Sequence, residues 1–169
     1  SADFTLNNLA AENLETLTLE GGSEATDTVD IGDTADDTTL SSVDASGMTG
    51  GLTLGSSNAV NLTDDATVTG GSGNDEIFWN INNQDGVTLN AGGNGSGGDT
   101  LDLEGSQNLG GGVIDLAADD QVERLNGAQN DAVQSGFENV DASGAGGSNA
   151  INIDGNSSAN TITGTSNDD

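Results

Sequence analysis

The sequence predicts an all-β chain, and within that class a parallel β-solenoid of short strands joined by turns rich in Gly and Asp. Three observations carry the prediction. Short alternating or apolar runs recur along the whole length, each bounded by Gly, Asn, Asp or Ser. Helix-forming stretches are few. Large side chains are scarce: 31% of residues are hydrophobic, the aromatics are Phe4, Phe78, Phe137 and Trp79, and Gly fills 27 of 169 positions. Packing must therefore come from aliphatic residues in thin layers rather than from interlocking rings.

The strand runs follow in chain order. Leu17-Thr-Leu19, Val29-Asp-Ile31 and Leu52-Thr-Leu54 alternate apolar and polar residues, which buries one face of a strand and leaves the other to solvent. Thr67-Val-Thr69, Ile77-Phe-Trp79, Val87-Thr-Leu89 and Leu101-Asp-Leu103 continue the series with β-branched and aromatic residues. Val113 to Leu116, Ile151-Asn-Ile153 and Thr161-Ile-Thr163 complete it. Phe78 and Trp79 are adjacent, so one points inward and the other is a candidate contact for a neighbouring subunit. Helix signals are confined to Asn8 to Glu15 and Leu116 to Leu125, where Ala, Glu and Gln gather around Leu and Val. Strands this short, mostly about 8–14 residues apart, with no Pro and no Asn-Gly pair framing each turn, fit solenoid coils better than a sandwich.

Internal repetition agrees with coils. Val43-Asp-Ala-Ser-Gly47 recurs as Val140-Asp-Ala-Ser-Gly144, Ser57-Asn-Ala-Val-Asn61 returns as Ser148-Asn-Ala-Ile-Asn152, and Thr67-Val-Thr-Gly70 as Thr161-Ile-Thr-Gly164. The offsets of 97, 91 and 94 residues define a super-repeat of roughly 95. One continuous stack is expected: degenerate coils in 1–65, glycine-turn coils in 66–103, irregular coils with a short helix in 104–139, and a second set of glycine-turn coils in 140–169. The second copy stops in mid-motif at Asn167-Asp-Asp169, as expected of a protomer completed by its neighbour or of a piece of a longer array.

Charge excludes much chemistry. With 29 acidic residues against Arg124 alone and no His, the net charge is −28. Lacking His, Cys, Lys and Tyr, the chain cannot build a Ser/His/Asp triad, a thiol nucleophile, a Schiff base, a zinc site or a P-loop. Nucleic acids and anionic membranes are held through Lys and Arg, so neither is an expected partner. No apolar run approaches the ~20 residues needed to span a bilayer, and no cleavable leader is expected in the stretch from Ser1.

Gly70-Gly-Ser-Gly-Asn-Asp-Glu-Ile-Phe78 fits G-G-x-G-x-D-x-U-x at every defined position, the nonapeptide of calcium-binding parallel β-rolls. Gly92-Gly-Asn-Gly-Ser-Gly-Gly-Asp-Thr-Leu101 has the same order with two residues inserted before Asp99. Weaker copies run from Gly144 with Asn149 at the acidic position, from Gly155 with Asn160 there, and through Gly164-Thr-Ser-Asn-Asp168 with one residue deleted. Gly21 to Val29, with Asp27, is a distant echo. Through these residues the chain resembles the RTX (repeats-in-toxin) family, most of all its bacterial surface-layer, biofilm-matrix and adhesin members. The resemblance implies a β-roll in which an ion sits between one turn and the turn a full coil later. It also implies type I secretion to the cell surface.

The chemistry follows from the residue types. Calcium takes six to eight hard oxygens at about 2.3–2.6 Å, and tight turns offer carbonyls and carboxylates together. Asp75 and Asp99 are 24 residues apart, so the intact turn and its expanded partner are expected to stack. The expected ligand positions are Gly71, Gly73 and Asp75 with Gly93, Gly95 and Asp99. Asn149, Asn160 and Asp168 follow in the C-terminal turns, with Asp27 near the N-terminus. Other Asp pairs read as solvated loop charges, and Arg124 with Glu123 as a surface pair.

Two carboxylates about 4 Å apart repel by ~4 kcal/mol at an effective dielectric of ~20, so acids clustered in turns call for cations. The expected function is a calcium-dependent extracellular structural protein that folds on binding several Ca2+ ions and stacks head to tail on copies of itself, in a layer or fibre. Cell-surface polysaccharide is a further expected partner. The alternatives are a non-polymerising spacer of a large adhesin and, at much lower weight, a polysaccharide-active enzyme using paired carboxylates.

Overall fold

The structure, a computed structural model, describes residues 4–8, 13–21, 28–33, 40–55, 62–80, 86–105, 109–125, 128–146, 150–167 and 169. Among the described residues the chain is all-β, with sixteen strands and no helix. Seven strands form one sheet: β1 (Phe4–Asn8), β3 (Thr28–Asp33), β5 (Gly51–Leu54), β7 (Glu76–Asn80), β9 (Thr100–Glu104), β14 (Asn139–Asp141) and β16 (Ile162–Thr163), in that spatial order. A second sheet runs β2 (Thr16–Gly21), β4 (Ser42–Met48), β6 (Thr67–Thr69), β8 (Thr88–Asn90) and β13 (Gln134–Ser135). Every pairing in both sheets is parallel. From β1 to β9 the chain alternates between them.

The alternation explains the short runs. From β4 to β9 each strand delivers one or more aliphatic or small apolar side chains to the core, and the chain crosses to the other sheet between one strand and the next, so long hydrophobic stretches are unnecessary. Register stacks these residues in columns: Leu54 beside Ile77, Ile77 beside Leu101, and Leu101 beside Val140. In the second sheet Val43 lies beside Val68, and Val68 beside Leu89. All seven are buried. Each such side chain contributes about 1.5–3 kcal/mol by leaving water, which lets a chain with few aromatics assemble a core. Trp79 is the inward member of the aromatic pair, and Phe78 is half-buried on the outer face.

Between β9 and β14 the chain makes a longer excursion, and here two expectations fail. Leu116 to Leu125 is not helical. Residues 116–121 are turn and bend, and Val122–Leu125 is strand β11. Asp115 accepts the N–H of Ala117 at 2.9 Å through its own carboxylate, closing a local turn that competes with a helical start. The Gln121 side chain then fixes the bend: its Nε2 donates to the carbonyls of Leu116 (3.0 Å) and Phe137 (2.8 Å), and its Oε1 accepts the Phe137 N–H at 2.9 Å. At the other expected helix, Asn13 is in a turn and Thr16 already begins β2, while residues 9–12 lie outside the described residues.

The second failure is parallel pairing throughout. A third sheet, ordered β12 (Ala128–Gln129), β11, β10 (Gly112–Asp115), β15 (Ile151–Asp154), pairs β10 with β15 in parallel, yet β11 is antiparallel to both β10 and β12. The signal was present. Asn126-Gly127 separates β11 from β12 in the sequence, the dipeptide that favours two-residue hairpin loops.

The super-repeat takes an unexpected form. Val43 lies beside Val68 and Val140 beside Ile162, so two of the three words of each copy stack as neighbours. In the first copy these two lie in the second sheet and in the second copy in the first sheet, while Ile151 and Asn152 of the remaining word belong to β15 of the third. What repeats is a local two-strand unit rather than a translation along one stack.

Candidate cation site at the stacked glycine turns

The turns at 70–75 and 92–99 lie directly on one another. Gly93 N–H donates to the Gly71 carbonyl at 2.8 Å and Gly95 N–H to the Gly73 carbonyl at 2.9 Å. Thr100 N–H reaches the Asp75 carbonyl at 2.7 Å. Glycine is required where the backbones press together. A β-carbon on Gly73 would lie 2.4 Å from the carbonyl carbon of Gly50, and one on Gly92, whose φ is +97°, would lie 2.2 Å from the Gly71 oxygen. Gly93 is different, with nothing nearer than 3.8 Å to its β-carbon position.

Inside this stack the carboxylates form a column whose first two members are buried. Asp75, 1% exposed, uses both oxygens: Oδ1 accepts the N–H of Leu52 one layer back at 2.6 Å, and Oδ2 accepts that of Gly71 in its own turn at 2.8 Å. Burial pushes its carboxyl up, against the pull of those two bonds. Asp99, fully buried, accepts the Asp75 N–H at 2.7 Å through Oδ1. Its Oδ2 is buried with no hydrogen-bond partner. Burial pushes the Asp99 carboxyl up to about 7, with the charges of Asp75 and Glu138 adding to the shift.

Glu138 is the next member. Its Oε2 accepts the Asp99 N–H at 2.9 Å, and its Oε1 accepts from the Asn94 amide. Thirty-nine residues separate it from Asp99, and nothing local marks it. Asn160 ends the column, donating through Nδ2 to the Glu138 carbonyl at 2.7 Å.

A rule of five residues emerges. Asp75 nests against Gly70, Asn160 against Gly155 and Asp169 against Gly164; a β-carbon on each glycine would lie 2.5, 2.6 and 2.3 Å from the corresponding side-chain oxygen. In each case the residue after the glycine donates its N–H to that side chain. Asp169 also accepts the N–H of Ile151 at 3.0 Å, as Asp75 does that of Leu52. Asp169 thus stands at the full five-residue spacing from the glycine of the last turn. Asp27, Asn149 and Asp168 lie outside the described residues.

The expanded turn breaks the rule. Asp99 stands seven residues after Gly92, and the N–H of Gly93 is spent on Gly71, so Asp99 has no donor from its own turn. That is why its Oδ2 is orphaned. Gly71, Gly73, Asp75, Gly93, Gly95 and Asp99 are thus brought together, while Asn160 lies at the column's far end. Among the described residues no three acidic side chains converge into a metal cluster by themselves. A cation here would rest on the uncommitted Asp99 oxygen and on backbone carbonyls, each of which keeps a second lone pair after accepting one bond. No protein-family model, no curated protein and no solved structure matches the chain.

Proposed function

We propose that this chain is a calcium-dependent structural module: a parallel β-solenoid of the β-roll kind that completes its folding on taking up Ca2+ and stacks end to end with copies of itself in an extracellular layer or fibre. One observation carries the reading. A carboxylate column, buried Asp75 and Asp99 followed by half-buried Glu138, contains a buried oxygen with no partner, in a chain whose sole basic side chain is on β11 in another sheet. A buried, unpaired acidic oxygen costs free energy that a proton or a hard cation offsets. The donor set of carboxylates and carbonyls suits calcium, which tolerates irregular geometry, better than magnesium, which demands an octahedron and keeps its waters.

Alternation between two parallel sheets supports the solenoid reading, since it is what a chain coiling about one axis produces. Self-assembly rests on the ends. Among the described residues strands β1 and β16 are the edges of the first sheet, and a sheet edge offers a row of backbone groups that another copy can pair. Location outside the cell follows from calcium supply: millimolar there, scarce within. Linkage gives the size of the effect, about 2.7 kcal/mol per site when calcium stands at 100 times the dissociation constant. No enzymatic activity is assigned.

Circular dichroism and Trp79 fluorescence during a calcium titration test the folding claim. Expected are a gain of β-signal and a blue shift as Trp79 enters the core. A chain equally structured and equally stable in excess chelator would defeat the proposal. Electron micrographs with and without chelator test assembly, and a monomer at high protein concentration in calcium would remove that part.

A further inference from the structure

The third sheet carries a cavity apart from the glycine turns. It measures about 440 Å³ and is lined by Ala118, Asp120, Glu123, Arg124, Gln129 and Asn130. That volume falls within the range of ordinary small-molecule sites, roughly 300–1,000 Å³. Local irregularity builds its wall. Between β10 and β11 the register slips by one residue: Val113 pairs with Arg124 but Ile114 with Val122, which leaves Glu123 as an extra residue on β11. A bulge of this kind interrupts the alternation of side chains along a strand. Val122 stays in the core, while the consecutive Glu123 and Arg124 are both exposed and both line the cavity. The pairing of β11 with β12 then sets Gln129 beside Arg124.

Two of the lining side chains are held in place and three are uncommitted. The Asn130 amide donates to the carbonyls of Val122 (3.2 Å) and Ala132 (3.0 Å) and to the Gln134 side chain. Asp120 accepts the Gln134 N–H at 3.2 Å through Oδ1. Among the described residues the side chains of Glu123, Arg124 and Gln129 make no hydrogen bond or ion pair, so the surface pair expected of Arg124 and Glu123 does not form. A chain with 29 acidic residues thus leaves its single basic group unpaired, at a cavity.

The donor and acceptor inventory selects the ligand. Arg124 can only donate, the carboxylates of Asp120 and Glu123 can only accept, and the Gln129 amide does both. A hydroxyl also does both, so neighbouring hydroxyls on one ring satisfy all of these groups together. Charge narrows the choice further. A sugar carboxylate would meet two like charges in a chain of net charge −28, and an amino sugar would meet Arg124.

We propose that this cavity binds a neutral, hydroxyl-rich saccharide, with Arg124 and Gln129 donating to its oxygens and Asp120 and Glu123 accepting from its hydroxyls. No aromatic ring lines the cavity, so hydrogen bonds alone supply the affinity, and a dissociation constant on the order of 1 mM is expected. Neither calcium at the glycine turns nor end-to-end stacking enters this site.

The test is an NMR titration of the whole nitrogen-15-labelled protein in calcium, with maltose, cellobiose and lactose as neutral probes and glucuronate and glucosamine as charged ones. Expected are shifts of the amides of residues 118–124 and 129–130 with at least one neutral probe, and binding about tenfold weaker for both charged sugars. Arg124→Gln should weaken the neutral probe about tenfold and leave thermal unfolding unchanged, because the side chain is exposed. Glu123→Gln should weaken the neutral probe and narrow its advantage over glucuronate. Shifts absent from these amides with every neutral probe, tighter binding of glucuronate than of any neutral probe, or equal binding by wild type and Arg124→Gln overturns the proposal. Should Arg124→Gln not fold, Glu123→Gln decides by itself, and an unmoved ratio of neutral to glucuronate affinity is equally adverse.

Discussion

The turns at 70–75 and 92–99 are built from nearly the same residues and treat their acids in opposite ways. In the first, five residues from glycine to acid let the carboxylate of Asp75 close its own turn on Gly71 and cap the neighbouring layer at Leu52. In the second, two further residues carry Asp99 out of reach of its own turn, and one oxygen is left buried and unpaired. Spacing, more than residue type, decides which carboxylate is structural and which is available to a ligand. Asp75 acts as a hydrogen-bond acceptor first, and Asp99 is the acid with capacity to spare.

The largest effect that would break this comparison lies in the glycines. Gly73→Ala places a β-carbon 2.4 Å from backbone of the adjacent layer, whereas Gly93→Ala meets nothing within 3.8 Å. Urea unfolding should show Gly73→Ala destabilised by about 3 kcal/mol and Gly93→Ala by well under 1 kcal/mol. Equal losses would mean that the two turns do not stack as described.

Asparagine at the two acids should separate their roles. Asp75→Asn turns an amide N–H2 toward one of two buried N–H donors, and is expected to cost about 2 kcal/mol with or without calcium. Asp99→Asn keeps the acceptor for Asp75 N–H and removes a charge that opposes Asp75 and Glu138. Stability in chelator should rise by about 1 kcal/mol after solvent screening, while the stabilisation by calcium falls. Thermal unfolding of both variants in chelator and in calcium checks this, and a calcium response unchanged in Asp99→Asn would contradict it.

Much of the fold was legible because alternation is a local property. Each of the ten expected runs overlaps a strand, and a segment such as Leu52-Thr-Leu54 buries both leucines on one face. Strand β4 was recognised only as a repeat word, for Asp, Ala, Ser and Gly carry little strand preference and the segment is held by pairing with β2 and β6. Sheet membership is a long-range property, so nothing local says that Val43 and Val140 belong to different sheets. The site divides in the same way. Glycine spacing marks Asp75 and Asp99, and the same five-residue spacing of the nonapeptide runs from Gly164 to Asp169, but Glu138 reaches the column from 39 residues away.

A smaller, graded consequence concerns pH. Asp99 and Asp102 ionise near pH 7 in the folded chain against 3.8 for a free carboxyl, so the folded state holds protons that the unfolded state releases. Their contribution to stability without metal is complete below about pH 4 and is lost as pH rises through 7. After discounting for solvent screening, the two together are expected to contribute about 1–2 kcal/mol. Denaturation in chelator between pH 5 and 8 should therefore show falling stability. Calcium competes with those protons and should flatten or reverse the slope, and a chelated chain that grows more stable toward pH 8 would count against the orphaned oxygen.

The smallest effect sharpens the comparison most. Asp169 makes the same two kinds of bond as Asp75, to the start of a strand and to its own turn, yet it is exposed. Those bonds, led by that from Ile151, hold its carboxyl below the usual range, opposite in direction to Asp75, where burial dominates. Its contribution is present at neutral pH and is lost as pH falls through the lowered value. Because water replaces any bond it gives up, Asp169→Asn should stay within about 0.5 kcal/mol of wild type at pH 7. If it matched the loss in Asp75→Asn, hydrogen bonding alone would set the energy of these acids; a small loss assigns the difference to desolvation, the same term that leaves Asp99 in need of a cation.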